Sequence, residues 1–371
     1  MPEVLAAAAE ALGGTDVTVY LVDFGQTTLE PLPDRAAHAD LPTAEPVASS
    51  MAGRAFTEQR VVTAERDDGV RVWAPVVEGS DRTGVLALTV PAADDDVLQA
   101  CADLGLLAGY LIAAQARCTD MYNLHRRRRS MSLAASMQWD LLPPLVLKTP
   151  TVTLAGLVEP AYDVGGDCFD YAANGTALDL AVMDAMGHGT HSALLAGLAM
   201  GAYRHARREA RPIAAVHEHI ATAMAAQHPD ASFVTGVVAR LATDTGELTW
   251  TNAGHPCPLL IRGGRVISEL RCDPTPPWGL GSGTPPVASA SLEPGDSVLL
   301  YTDGVIEART PDLELFGLER LADLTQSYSS DLVEPEEIVR RLVGAVLDHQ
   351  RADLRDDATL LMVRWNGPEP G

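Results

Sequence analysis

Alternation of apolar and polar residues marks the strands of this chain, and three-to-four-residue spacing marks its helices. In the first third, an Ala-rich helical stretch over residues 4–12 leads into VTVYLVDF, residues 17–24, which alternates as a half-buried strand does. A polar, Pro-rich segment follows, then a helix over residues 48–59 and two strands over residues 70–77 and 84–90. Asp94, Asp95 and Asp96 open a long apolar helix, where carboxylates suit the N-terminal dipole. The pattern predicts a small α+β domain with an antiparallel sheet over residues 1–116.

Residues 117–144 read as a helical linker. Helix continues through MYNLHRRRRSMSLAASMQWDLL and stops at Pro143 and Pro144, because proline cannot extend it. Met121, Leu124, Met131, Leu133, Ala134, Met137, Leu141 and Leu142 recur at helical spacing, and the four arginines of residues 126–129 interrupt them. An arginine block can bind nucleic acid or anionic lipid. The plainer reading is a solvated face that pairs with acidic groups of a neighbouring domain. A joining helix with an apolar stripe is a dimerisation element.

From residue 145 to the end at 371, short strands dominate: 151–158, 177–183, 233–241, 247–251, 259–262, 297–301 and 358–364. Helical stretches over residues 192–210, 212–226 and 335–349 are clustered between them. Runs of strands with grouped helices predict an α+β domain of packed sheets with helices outside. The tail after Trp365 reads as frayed.

Composition narrows the function. The chain holds 27 Lys+Arg against 50 Asp+Glu, a formal charge of −23. That opposes a nucleic-acid partner, whose binding rests on Lys and Arg at phosphates. Cys101, Cys118, Cys168, Cys257 and Cys272 form no CxxC pair, which fits a reducing cytosol rather than a disulfide framework or zinc site. The N-terminus lacks a basic, signal-like region. The apolar run over residues 97–116 contains Gln99, Asp103 and Gln115, and reads as a buried or dimer-facing helix rather than a membrane span. The expectation is a cytoplasmic protein with no membrane and no nucleic-acid partner.

Aspartates carry the candidate chemistry. Asp167 lies in VGGDCFD, Asp184 ends the apolar run ALDLAVMD, Asp303 follows SVLLYT, and Asp356 and Asp357 precede ATLLMVR. Several segments thus place a carboxylate at the tip of an apolar strand beside glycine or a turn. Gathered there, they would repel one another unless a cation sat between them. An all-oxygen set selects Mg²⁺ or Mn²⁺. Two such ions clamp a phosphoryl group and activate water, so the pattern reads as a binuclear metal phosphohydrolase.

In order, the segments VGGDCFD, VMDAMGHGTHSALLA, TNAGHPCPLLI, LEPGDSVLLYTDGVIEA, FGLERL and DDATLLMVR resemble the SpoIIE/RsbU branch of the metal-dependent protein phosphatases, the protein phosphatase 2C superfamily. LAASMQWDLLPP resembles the switch helix that precedes the phosphatase domain in that branch. SMAGRAFTEQ, VRVWAPVV and TGVLALTV resemble a GAF sensor domain. The resemblance implies an αββα sandwich, two Mn²⁺ or Mg²⁺ ions, and phosphoserine or phosphothreonine protein substrates. It makes Asp184 and Asp167 the catalytic carboxylates. Asp184 bridges both ions, the Ala185 carbonyl and Asp167 serve the second, and Asp303 and Asp356 serve the first. Asp357 supports them from behind, with the reverse assignment of Asp356 and Asp357 open. Water is the nucleophile, with no phosphoenzyme. Many relatives carry glycine where this chain has Ala185, so the ligand geometry depends on a negative φ there.

Other residues have plainer readings. His188 and His191 fit a loop-stabilising role better than metal ligation. His255 invites a general-acid role, but Asn252 and Gly254 read as a turn with positive φ. Cys168 reads as a small apolar residue, Trp278 as the anchor of a Pro-rich flap, and Glu307 as support beside the site. Relatives of this architecture act on a phosphorylated STAS-domain anti-sigma-factor antagonist. The expected protein is a signal-regulated serine/threonine phosphatase, a homodimer through its linker helix and GAF-like domain. The alternative is a partner-switching scaffold that binds the phosphoprotein without turnover.

Overall fold

A computed structural model of the chain describes residues 2–33, 42–159, 162, 165–227, 232–273, 275–281, 283–330, 334–350 and 357–369. The chain divides into two compact units, Met1–Ser130 and Met131–Gly371.

The first unit contains α1 (Pro2–Glu10), β1 (Thr15–Val22), β2 (Thr28–Pro31), β3 (Glu45–Pro46), α2 (Met51–Glu58), β4 (Val62–Arg66), β5 (Gly69–Glu78), β6 (Asp81–Val90), α3 (Asp95–Ala116) and α4 (Met121–Arg126). Its strands form one antiparallel sheet in the order β3-β2-β1-β6-β5-β4. Period-two alternation divides the apolar residues between its faces. Val70, Val72, Ala74 and Val76 share a core with Leu5 of α1 and Ile112 of α3. Trp73, Val85 and Ala87 pack with Phe56 of α2. Asp94 caps α3, its Oδ1 accepting the Val97 N–H at 2.9 Å. Cys101, Ala108 and Ile112 form the buried side of that helix, while Leu106, Leu107 and Tyr110 are exposed. By length and composition α3 could cross a membrane, a test that core helices also pass.

Residues 121–142 do not form one helix. α4 ends at Arg126 and Arg127 is extended. The next helix, α5 (Leu133–Leu141), starts afresh on Ser132, whose Oγ accepts the Ala135 N–H at 3.0 Å. Contacts of the arginine block account for the break. Arg126 Nε donates to the Val22 carbonyl at 2.9 Å, and its guanidinium lies 4.6 Å from the Phe24 ring centre. Arg128 donates to Thr28 Oγ1 at 2.9 Å and pairs with Glu30 at 3.3 Å. These contacts with β1, β2 and the turn between them draw the chain away from the α4 axis.

The second unit continues after α5 with β7 (Val146–Lys148), β8 (Val152–Glu159), β9 (Asp167–Asn174), β10 (Ala177–Ala185), α6 (Thr190–Arg208), α7 (Ile213–Gln227), β11 (Val234–Ala242), β12 (Glu247–Ala253), β13 (Leu259–Arg262), β14 (Arg265–Glu269), β15 (Ala288–Ser291), β16 (Ser297–Tyr301), α8 (Asp303–Ile306), α9 (Leu318–Ser330), α10 (Pro335–His349) and β17 (Ala358–Trp365). Two antiparallel sheets run β15-β12-β11-β10-β9 and β14-β13-β16-β17-β8-β7. Leu178, Leu180 and Val182 of β10 join Phe169 in the core between the sheets. Ala181 and Met183 face the other way, into a core with Leu195, Ala199 and Met200 of α6 and Ile220 of α7. α10 packs on β8 and β17 of the second sheet. The layers are helix, sheet, sheet and helix. Phe169 fits because β8 carries Gly156, where a Cβ would lie 2.4 Å from the ring.

Phe169→Ala is expected to destabilise the second unit by about 3–5 kcal/mol, the usual cost of emptying a buried aromatic site. Denaturant unfolding measures it, and a loss under about 1 kcal/mol contradicts this packing. His217 gives a pH dependence. It is buried, shares a 3.0 Å hydrogen bond with Thr251 Oγ1, and meets the Trp278 ring edge-on at 5.5 Å. Burial lowers its pKa to about 4. The folded state therefore keeps this ring neutral where the unfolded chain binds a proton. Its contribution is full above pH ~6.5 and falls as pH drops toward 4, by up to about 3 kcal/mol. His217→Asn should flatten the stability slope in that window, and an unchanged slope contradicts the assignment.

Candidate active site

Asp184 and Asp167 stand directly opposite each other at the end of the β9–β10 ladder. Directly paired residues of an antiparallel ladder project from the same face, and even-numbered β10 positions face the space between the sheets. Across the other edge of β10, Asp184 pairs with Thr235 of β11. The row Asp167–Asp184–Thr235 therefore lies at one end of the inter-sheet space. Asp167 is fully enclosed and Asp184 half-buried.

The second sheet supplies the opposite wall. Thr302, just after β16, donates from Oγ1 to Asp167 Oδ2 at 2.6 Å and accepts the Thr359 N–H at 3.0 Å. Asp303 follows as the first residue of α8, and its carbonyl accepts the Glu307 N–H at 2.7 Å. Gly304 brings this turn against the start of β17: a Cβ there would lie 1.8 Å from the Asp357 carbonyl oxygen, so only glycine fits. Asp357 is buried, and its Oδ2 accepts the backbone N–H groups of Gly166 at 2.7 Å and Asp167 at 3.2 Å.

α5 closes the back of the site. Gln138 is buried, and its Nε2 donates to the Asp167 carbonyl at 2.7 Å and to Asp357 Oδ2 at 3.3 Å. On the other side of the Gly165–Gly166 turn, Ser192 Oγ of α6 donates to the Gly165 carbonyl at 2.5 Å. The turn preceding Asp167 is thus held from α5, α6 and β17 together.

Burial, and after it the charges of Asp184 and Asp357, hold the Asp167 carboxyl well above the usual carboxylate range. Positive charge beside it would favour its ionised form, and the groups acting on it include Asp184, Asp357, Thr302 and Thr359. The donor set is all oxygen, and it fits a hard divalent cation. Among the described residues no three Asp, Glu, His or Cys side chains already form a closed ligand group. Asp356 lies outside the described residues.

The other candidates sort by burial. Ala185 is buried in β10 and is not among the positive-φ residues, so its backbone is that of an ordinary strand. His188 and His191 are exposed. His191 shares a 3.5 Å hydrogen bond with Ser232 Oγ. His255 is enclosed and shares a 2.8 Å hydrogen bond with Thr235 Oγ1. Burial lowers its pKa to about 3, which favours the neutral ring. Asn252 does not take positive φ. It lies in β12 and exchanges 2.8 Å hydrogen bonds with the His255 backbone, while Gly254 alone takes the left-handed turn. Cys168 faces the helical layer, and burial pushes its thiol up. Trp278 is fully buried and exchanges backbone hydrogen bonds with Val234, as a flap anchor should. Glu307 is exposed, and its backbone N–H closes the Asp303 turn.

Sequence reasoning missed Gln138 and Thr302. Gln138 had a signal: with Ala134 and Ala135 it is a polar residue on the buried stripe of a short helix. Thr302 had none, since a threonine at a strand end is unremarkable until its hydroxyl meets a carboxylate from the other sheet.

The family described as Stage II sporulation protein E (SpoIIE) matches residues 174–366, more than half of the chain. Phosphoserine phosphatase RsbU of Bacillus subtilis (strain 168) is 25% identical over 294 residues, which cover 76% of this chain and 83% of that protein. Protein IcfG of Synechocystis sp. is 23% identical over 273 residues, 64% of this chain but only 42% of that longer protein. The structure of the RsbU and RsbW domains of Rv1364c from Mycobacterium tuberculosis is similar with a TM-score of 0.52 and 30% identity, covering 60% of this chain and 63% of that one. The SiaA-PP2C domain of Pseudomonas aeruginosa, at TM-score 0.54 and 23% identity, covers 68% of this chain and 99% of that one, a likeness in fold.

Proposed function

The chain belongs to the SpoIIE family of PP2C-type serine/threonine phosphatases, which are metal-dependent hydrolases; on that premise we propose that it removes phosphate from phosphoserine or phosphothreonine of a phosphorylated STAS-domain anti-sigma-factor antagonist. The observation that carries the catalytic reading is Asp167: a sealed carboxylate directly opposite Asp184, with its acidity suppressed by burial and by other acids. Such an arrangement is costly unless it binds cations.

In this reading Asp184, Asp167, Asp303, Asp356 and the Ala185 carbonyl would hold two Mn²⁺ or Mg²⁺ ions. Asp357 would hold the turn through Oδ2, which accepts the Gly166 and Asp167 amides, and the reverse assignment of Asp356 and Asp357 stays open. When bound, the ions supply Lewis-acid polarisation of the phosphoryl oxygens and lower the pKa of water. The protein's part is placement. Thr302 fixes the Asp167 carboxylate, and Gln138 fixes the peptide behind it. The strand backbone at Ala185, where φ is not positive, supports the hydrolysing reading over a non-hydrolysing scaffold.

The first unit serves as a GAF-like sensor and α5 as the switch helix, as the motifs in residues 1–144 suggest. The exposed Leu106, Leu107 and Tyr110 of α3 suit a homodimer contact. The cysteine pattern and the acidic charge suit a cytoplasmic protein. In this reading the domains are 1–116 sensor, 117–144 linker and 145–371 phosphatase.

The test is phosphate release from a phosphorylated STAS-domain protein by the full chain, with Mn²⁺ and with chelator. Release should require metal, and Asp184→Asn should lower it by more than about 100-fold while the circular dichroism spectrum is kept. Undiminished release by the variant, or release that chelator does not touch, contradicts the proposal.

A further inference from the structure

The C-terminal end of α5 raises a question that the metal ligands do not answer. The last carbonyls of a helix lack partners within it. The Leu141 carbonyl of α5 is taken by Arg204 Nη2, from near the C-terminal end of α6, at 2.5 Å. The same guanidinium grips Asp170 with two hydrogen bonds, Nε to Oδ2 and Nη2 to Oδ1, both 3.0 Å. Asp170 is buried in β9, three residues beyond Asp167 and on the face that turns toward α6. Arg207 also donates to Asp170 Oδ2, at 2.7 Å, and stacks over Tyr203 at 5.1 Å.

One side chain thus ties α5, α6 and β9 together. Gln138 and Leu141 lie three residues apart, so they sit on neighbouring parts of one helix face. Gln138 holds the Asp167 carbonyl and Asp357, and the Leu141 carbonyl is held by Arg204. Two anchored points one turn apart fix both the register and the rotation of a nine-residue helix.

We propose that Arg204 is a positioning residue of the catalytic centre: its fork, set by Asp170, clamps the end of α5 so that Gln138 meets the peptide of Asp167. This rests on the phosphatase reading for its effect on turnover, and on geometry alone for its effect on α5. Arg207 shares Asp170 and, among the described residues, hydrogen-bonds to it and not to α5, so it separates the clamp from simple neutralisation of a buried acid. Lysine at position 204 would keep a charge beside Asp170 but lacks the planar fork that serves two acceptors at once.

The experiment compares the full chain with Arg204→Gln, Arg204→Lys and Arg207→Gln. Amide hydrogen exchange over residues 133–141 is measured in metal-free protein, and phosphate release is measured against Mn²⁺ concentration. Arg204→Gln should speed exchange of α5 and raise the half-activating Mn²⁺ concentration, each by about tenfold, with kcat at saturating Mn²⁺ within about twofold. Arg204→Lys should show the same pattern, and it keeps the test alive if the glutamine variant does not fold. Arg207→Gln should leave both readouts within about twofold of the unaltered chain. Unchanged α5 exchange in Arg204→Lys overturns the clamp, as does an equal effect of Arg204→Gln and Arg207→Gln. If the unaltered chain releases no phosphate, the phosphatase reading fails, and the exchange data still decide the clamp.

Discussion

Two carboxylates that face each other across an antiparallel ladder repel, and here one of them, Asp167, is sealed from water. Desolvation and neighbouring acids both disfavour its charge. The repulsion cannot be relieved by turning away, because ladder register sets the positions of both residues. Much of the second unit can be understood as the framework that keeps this unfavourable pair in place. Thr302 reaches across from the other sheet, Asp357 collects the amides of the turn, and Gln138 holds its carbonyl from a helix.

The two-sheet architecture makes that possible. The inter-sheet core is apolar along its length, with Phe169, Leu180 and Val182 following directly from the acids along β9 and β10. The same alternation that points these side chains inward points Asp167 and Asp184 into the end of the same space. Strand polarity then brings Asp303 and the start of β17 to that end from the second sheet. The two sheets and the placing of Asp167 and Asp184 at their end are two consequences of one pattern of alternation.

Much of this was legible in the sequence. The strands over residues 177–183, 259–262 and 297–301 were marked by short, mostly apolar runs, and the helix over residues 335–349 by its period. The acids stood out because each interrupts or ends such a run. What was not legible depended on partners distant in the chain. The helical period over residues 121–142 concealed a break, because Arg126 and Arg128 bind to β1, β2 and the turn between them. His255 read as part of a turn, and what the sequence did not show is that it is enclosed beside Thr235. Short elements such as β3, β7 and α8 carry too few residues for any period to show. Asp303 therefore reads as a strand tip in the sequence and proves to be the first residue of a helical turn.

In the proposed function the acid cluster holds divalent cations. Titration calorimetry of Mn²⁺ into the metal-free full chain, with a thermal melt at each end of the titration, tests it most directly. The account predicts saturable binding of about two ions and a higher melting temperature for the loaded protein, because a ligand that binds only the folded state stabilises it. No saturable binding, with an unchanged melting temperature in excess Mn²⁺ and in excess Mg²⁺, would contradict it.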